Sequence, residues 1–211
     1  PFSTAGQRKG SDDERHLWPA IRDAVSVLRP RFVVLENVRG HLSLGFAEVL
    51  ADLAGLGFDA EWGCFRSSDV GAPHRRERLY VVATAADTDG AARCKEQDIR
   101  TQTGEQTPLG YDVGGRCMDD EGGGRLDCGI PWGDYGPAVS RWETITGAVA
   151  PAPLDAEGRL APALAEWMMG YPAGWVTDPA IGLSRAQQLK ACGNAVQPQT
   201  AALALSELTG R

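Results

Sequence analysis

No run of about 18 apolar residues occurs in this 211-residue chain. No basic stretch followed by an apolar one opens it, so neither a membrane-spanning helix nor a secretory leader is expected. No C-x-x-C pair occurs. The five cysteines, Cys64, Cys94, Cys117, Cys128 and Cys192, are odd in number and scattered. That pattern suits reduced intracellular thiols and argues against a zinc site, so no metal is expected. No internal repeat is visible, and no initiator Met precedes Pro1, which reads as a processed or truncated end. Positive charge is also short. Lys and Arg number 21 against 28 Asp and Glu, a net charge of -7. Taken whole, that balance argues weakly against a nucleic-acid partner. Divided, it does not. Residues 1–85 carry 11 basic and 11 acidic residues, residues 86–150 carry 6 and 12, and residues 151–211 carry 4 and 5. The acidity sits in the middle, while Arg8-Lys9 and Arg75-Arg76-Arg78 form local basic clusters of the kind that bind phosphate.

What is present is an α/β pattern. Pro1 to Gly10 is polar and non-periodic and reads as a loop. Leu17, Ile21, Ala24, Val25 and Leu28 repeat as one helical face, which Arg29-Pro30 ends. Arg31 to Gly40 follows, with the apolar run Phe32-Val33-Val34-Leu35 leading into Glu36 and Asn37. So short an apolar run predicts a strand buried on both faces, as in parallel sheets. A second helix is expected from about Ser43, its N-cap, to Ala54, burying Phe46, Val49, Leu50 and Leu53. Gly55 and Gly57 close it. Phe58–Phe65 and Arg78–Ala83 read as strands, the close pair forming an antiparallel hairpin at the edge. This order is that of the back half of a doubly wound sheet.

Residues 86–131 are rich in Gly, Asp, Gln and Thr and predict a loop-rich, acidic insertion. Gly122-Gly123-Gly124 follows no strand and is not a dinucleotide loop. Order is expected to return at the aromatic cluster Trp132, Tyr135 and Trp142. Ser184 with Gln187 forms a capping box for a helix ending at Gly193. Pro198 opens a last helix with Leu203, Leu205 and Leu208 to bury.

Glu36 is the residue with most chemical content. A carboxyl at the end of a buried strand lies where open α/β sheets bind ligands. Desolvation there raises its pKa and lets it hold a proton near neutral pH. The alternative is an acid that caps the next helix or pairs with an arginine. Arg76 and Arg78 read either as site guanidiniums or as a solvated pair before a strand. Trp132, Tyr135 and Trp142 read by themselves as a small aromatic core with Arg141 beside it. Asn194 reads by itself as a helix C-cap. His16 and His41 read as surface or cap residues, and Cys192 as packed.

Four motifs in one order resemble DNA cytosine-5 methyltransferases. Pro1 to Gln7 resembles the segment after that family's catalytic Pro-Cys. Glu36-Asn37-Val38 resembles its Glu-Asn-Val motif. Gly71 to Arg78 resembles its Gln-x-Arg-x-Arg motif, with His74 in the Gln place. Gly193-Asn194-Ala195-Val196 resembles its closing Gly-Asn-x-Val motif, and Glu166 to Pro172 the motif before it. The resemblance spans almost the whole chain and is similar to phage and actinobacterial versions with short recognition regions.

The resemblance implies a partial Rossmann-like S-adenosylmethionine-dependent methyltransferase sheet with a small target-recognition region. Residues 1–85 would be the carboxyl half of the catalytic α/β domain, 86–131 the insertion, 132–160 the recognition region and 161–211 a return to the catalytic domain. It implies Glu36 as the acid at cytosine N3, Arg78 on the base O2 and on Glu36, and Arg76 lining the pocket. Asn194 would brace S-adenosylmethionine. Ser3, Gly6, Gln7, Arg8 and Lys9 would belong to the mobile loop over a flipped base, and Trp132, Tyr135 and Arg141 would contact double-stranded DNA. A cytoplasmic, bacterial or phage-encoded enzyme of a restriction-modification system is implied. The departures are specific: the sequence has no Phe-x-Gly-x-Gly loop and no Pro-Cys. Three forms therefore fit: a fragment of a single-chain enzyme, a subunit whose partner is a separate amino-terminal half, or a non-catalytic DNA-binding remnant.

Overall fold

The computed structural model describes residues 17–86 and 132–210. The loop assigned to Pro1–Gly10, with Ser3, Gly6, Gln7, Arg8 and Lys9, lies outside the described residues, as do His16 and positions 87–131 of the insertion.

Helix α1 (Trp18–Leu28) leads into strand β1 (Phe32–Val38). Arg29 ends the helix in the left-handed region, φ 47°, one residue before Pro30. A short 3-10 turn, Arg39–Ser43, joins β1 to α2 (Phe46–Gly55). Ser43 is therefore not the N-cap. That position falls to Gly45, with φ 84°, and the Ser43 hydroxyl donates back to the Gly40 carbonyl. Strands β2 (Phe58–Arg66) and β3 (Glu77–Ala85) follow. After residue 131 come α3 (Gly136–Thr146), α4 (Pro162–Met168), α5 (Arg185–Asn194) and α6 (Pro198–Thr209).

The sheet has the order β1-β3-β2. β3 runs antiparallel to both neighbours, so β1 and β2 are parallel to each other but not paired. The hairpin expected from β2 and β3 is present. The strand buried on both faces is not. Phe32 and Val34 are each 52% exposed, while Val33 between them is buried. The reason is alternation. Odd positions of β1 face the α1/α2 layer, where Val33 and Leu35 join Trp18, Val25, Phe46, Val49, Leu53, Leu79 and Val81. Even positions face the side on which α6 packs over β2 and β3, with Phe65, Tyr80 and Ala204 at its centre. Phe32 and Val34 lie on that side but at the sheet's edge.

Two helical faces also differ from expectation. α1 buries Trp18 and Val25, and leaves Leu17, Ile21 and Leu28 exposed. α6 buries Thr200 and Ala204, whose small side chains allow close approach to the sheet, and leaves Leu205 at the surface. The capping box forms, with Ser184 N–H donating to Gln187 Oε1 at 2.8 Å, and its helix runs one residue past Gly193.

A second core lies outside the sheet. Trp142 of α3 has 0% exposure and packs with Val139, Ala72, Leu164 and Trp167. Its indole N–H donates to the Trp167 carbonyl at 2.9 Å, and the Trp167 indole donates to the Ala148 carbonyl at 2.9 Å. Both rings thus keep their polar edge satisfied while buried.

Candidate active site

Cross-strand register assembles the site. Glu36 of β1 sits opposite Tyr80 of β3, and Val38 opposite Arg78. Residues two apart on a strand share a face. Arg78 and Tyr80 therefore project to the same side as Glu36, the α6 side. The Glu36 carboxyl is three residues inside the sheet from the start of the 3-10 turn, not at the strand's last position.

Arg78 Nε lies 3.1 Å from Glu36 Oε1, with both side chains about one-fifth exposed. The structure thus shows the arginine pairing that was the alternative reading of Glu36. The approach is close but not aligned as a hydrogen bond. Oε1 is buried and has no hydrogen-bond partner among the described residues. Arg78 Nη1 instead donates to the Glu77 carbonyl at 2.9 Å. Desolvation raises the Glu36 pKa, and the positive charges of Arg78 and Arg76 only partly oppose it. Desolvation, with the Glu36 charge adding to it, pushes the Tyr80 phenol up to about 12.

Arg76 ties this face to the far end of the chain. Its Nη1 donates to the Gly193 carbonyl at 2.9 Å and its Nη2 to the Ala195 carbonyl at 2.6 Å. A planar fork meets two carbonyls of one turn, a geometry that lysine does not offer. Tyr171 donates its hydroxyl to the next carbonyl, Val196. Residues 193–196 are thus pinned from two sides. Burial lowers the Arg76 pKa, and Arg78 adds to that effect.

His74 hydrogen-bonds through Nε2 to the Met168 carbonyl at 2.9 Å, and burial holds its pKa below the ordinary value. It fixes the loop before β3 to α4 and touches none of Glu36, Arg76 or Arg78 by hydrogen bond. Asn194 is exposed at the carboxyl end of α5. Cys64 on β2 and Cys192 in α5 have thiol pKa values raised by burial, so neither is a ready thiolate.

The residues of 132–146 divide. Tyr135 is 72% exposed. Trp132 packs against the Trp142 core with its indole nitrogen buried and without a hydrogen-bond partner among the described residues. Arg141 is exposed, with Nε 3.4 Å from the Gly71 carbonyl. His41 is buried and in contact with Phe46 through an edge-on ring, not a surface residue.

Sequence reasoning missed Tyr80 and Tyr171 as parts of this site, and Glu166 as the anchor of the segment that carries Tyr171. Tyr80 had a signal, its spacing of two from Arg78. Glu166 had one only as part of a motif. It is 1% exposed and accepts hydrogen bonds from the Gly174, Val176 and Thr177 amides and the Thr177 hydroxyl. Those partners lie eight to eleven residues on, beyond any local rule.

Among the described residues no helix is long and apolar enough to cross a membrane. Residues 1–113 match the family described as C-5 cytosine-specific DNA methylase. The chain is 41% identical over 87 residues to the type II methyltransferase M.NaeI of Lentzea aerocolonigenes, a match covering 39% of this chain and 21% of that protein. It is 36% identical over 87 residues to M.NgoMIV of Neisseria gonorrhoeae, covering 39% and 28%. The matched stretch is thus under a third of either relative's length. The fold resembles the Dnmt2 methyltransferase of S. pombe, with a TM-score of 0.53, 15% identity, and coverage of 100% of this chain and 75% of that one. The Entamoeba histolytica methyltransferase EhMeth gives 0.54 at 15% identity, covering 100% and 74%. The family match takes in more than half of the 211 residues, including the strand that carries Glu36 and both arginines of the site. The chain belongs to the C-5 cytosine-specific DNA methylase family.

Proposed function

We propose that this chain carries the acid and arginine half of a DNA cytosine-5 methyltransferase. Its substrate is a cytosine flipped out of double-stranded DNA, and the whole enzyme moves a methyl group to C5. The single observation that carries this reading is Glu36. Its Oε1 is buried, lacks a hydrogen bond among the described residues, has a raised pKa, and lies 3.1 Å from a guanidinium on the same sheet face. A protonated carboxyl in that place donates to the ring nitrogen N3 of cytosine, drawing electrons from the ring so that C6 accepts a nucleophile. Arg78 holds the acid in position, and its charge suits the base O2. Arg76, engaged with two carbonyls, shapes the pocket floor. Ser3, Gly6, Gln7, Arg8 and Lys9 form the loop over the base, and Trp132, Tyr135 and Arg141 contact DNA beside it.

S-adenosylmethionine is the family's methyl donor. Asn194, exposed at the carboxyl end of α5, is proposed as one wall of its pocket, while the sequence has no glycine-rich loop between a strand and a helix to complete it. A thiol nucleophile is likewise not supplied by Cys64 or Cys192, both held protonated.

The test is methyl transfer to duplex DNA, by the 211-residue chain alone and with an added amino-terminal half bearing the Pro-Cys and glycine loop. The chain alone is expected to transfer nothing and the mixture, or the fused form, to be active. In the active form Glu36→Gln lowers turnover by about 100- to 10,000-fold with much less effect on DNA binding. Near-normal turnover in that variant rejects the role given to Glu36.

A further inference from the structure

One buried charge in this chain has no part in the chemistry just described. Glu166, on α4, is almost wholly buried, and its two carboxylate oxygens accept four hydrogen bonds from residues 174–177. A carboxylate is taken out of water at high cost, and only a full set of donors offsets it. The Glu166 carbonyl also accepts from the Tyr171 amide at 3.3 Å. Both ends of Glu166 therefore fix the segment from Gly170 to Thr177. Gly170 closes it against α6, with φ 72° and no room for a Cβ beside Gln199.

What this clamp presents is a pair of aromatic rings. Tyr171 and Trp175 stack with centroids 5.7 Å apart and planes 12° from parallel. Trp175 remains 61% exposed. A large ring so exposed, yet locked by a buried carboxylate and backed by a second ring, is not packing for its own sake. Its location is specific. The Tyr171 hydroxyl and the Arg76 guanidinium bind the consecutive carbonyls of Val196 and Ala195. The stack therefore stands beside the cationic rim of the Glu36 site. A flat π surface next to fixed positive charge suits a nucleobase whose phosphate lies over the arginines.

Resting on the DNA reading above, we infer that Trp175, stacked on Tyr171 and held by Glu166, is a nucleobase-stacking platform. It takes an unpaired base of the DNA next to the Glu36 pocket. Trp175 contributes the π face, Tyr171 fixes its angle, and Glu166 is the positioning residue behind both.

The experiment is binding of a fluorescein-labelled ten-residue oligo-dC to the 211-residue chain, followed by anisotropy across a salt series. Trp175→Ala is expected to weaken binding by about tenfold, on the scale of one base–aromatic stack. Trp175→Phe, which keeps a π face, is expected to restore most of it. Neither should change the slope of log affinity against log salt, because no phosphate contact is removed. Trp175 is exposed, so both variants fold. Wild-type affinity in Trp175→Ala, or a Phe variant as weak as the Ala one, overturns the stacking platform while leaving the DNA reading intact. A wild-type chain that binds no oligonucleotide overturns both. S-adenosylhomocysteine binding that depends on Trp175, with oligo-dC binding that does not, assigns the ring to the adenine of the methyl donor's product and also overturns the inference.

Discussion

Glu36 is subject to two opposing influences, and the outcome is measurable. Burial favours its neutral form, while Arg78 and Arg76 favour the charged one, and burial is the larger. A carboxyl with a raised folded-state pKa contributes stability that is present below its unfolded pKa. That stability is lost as pH rises through the folded value. The neutral amide of Glu36→Gln does not suffer this loss. Its melting temperature is therefore expected to exceed that of the parent at pH 8, with the difference closing as the pH falls below the ordinary glutamate range. Thermal unfolding at both pH values checks it, and a variant less stable at pH 8 contradicts the balance drawn here. Glu36, Arg76 and Arg78 were legible from sequence because strand and motif coincide at them. Tyr80 and Tyr171 were not. The first depends on which residue of β3 faces Glu36, and the second on a hydroxyl reaching 25 residues along the chain. His74 was legible as part of a motif, yet its contact, the Met168 carbonyl, is 94 residues away.

At the scale of elements, close approaches take over. Gly170 and Gly147 both have positive φ, 72° and 65°. A Cβ on Gly147 meets nothing within 4 Å, whereas one on Gly170 meets Gln199 at 2.4 Å. Gly147→Ala should therefore cost about 1–2 kcal/mol, the backbone penalty alone. Gly170→Ala should cost about 1 kcal/mol more, since the Gln199 amide must swing aside and lose its hydrogen bond to the Gly170 carbonyl. Urea unfolding of the two variants side by side separates these contributions, and equal costs rule out the close packing. The same reasoning explains the helices that were misread. α1 has a clean apolar repeat, but the sheet beneath it accepts only Trp18 and Val25. α6 packs Leu203 and Leu208 against the sheet as expected, but its centre is the smaller Thr200 and Ala204, and Leu205 stays at the surface. Periodicity marks a helix well. Which stripe it buries depends on the neighbour.

For the whole molecule, the exposed edge of β1 sets the solution behaviour. Phe32 and Val34 are half exposed on an edge strand that pairs, among the described residues, only with β3. Such an edge templates pairing with other chains. The 211-residue chain alone is expected to self-associate. Val34→Lys, placing a charge on that strand, is expected to reduce the association without altering the fold. Sedimentation and circular dichroism test this, and a parent chain that stays monomeric at high concentration removes the premise. The α/β class was legible from the alternation of apolar runs. The antiparallel β2–β3 hairpin was legible too, but the place of β3 between β1 and β2 was not, because each strand carries the same β-branched signal whichever neighbour it takes.

That placing also sets an order in time. The central strand is the last of the three to be made. While residues 32–66 leave the ribosome, β1 and β2 have no partner in each other, because the place between them is reserved for residues 77–85. In a nascent chain stopped before Glu77, β1 and β2 both lack the one strand that, among the described residues, pairs with them, and Glu36 faces no tyrosine. One segment, arriving late, closes both ladders together and delivers Arg76, Arg78 and Tyr80 in the same event. Pairing of these three strands and formation of the acid's surroundings are therefore expected to be a single step on the folding path.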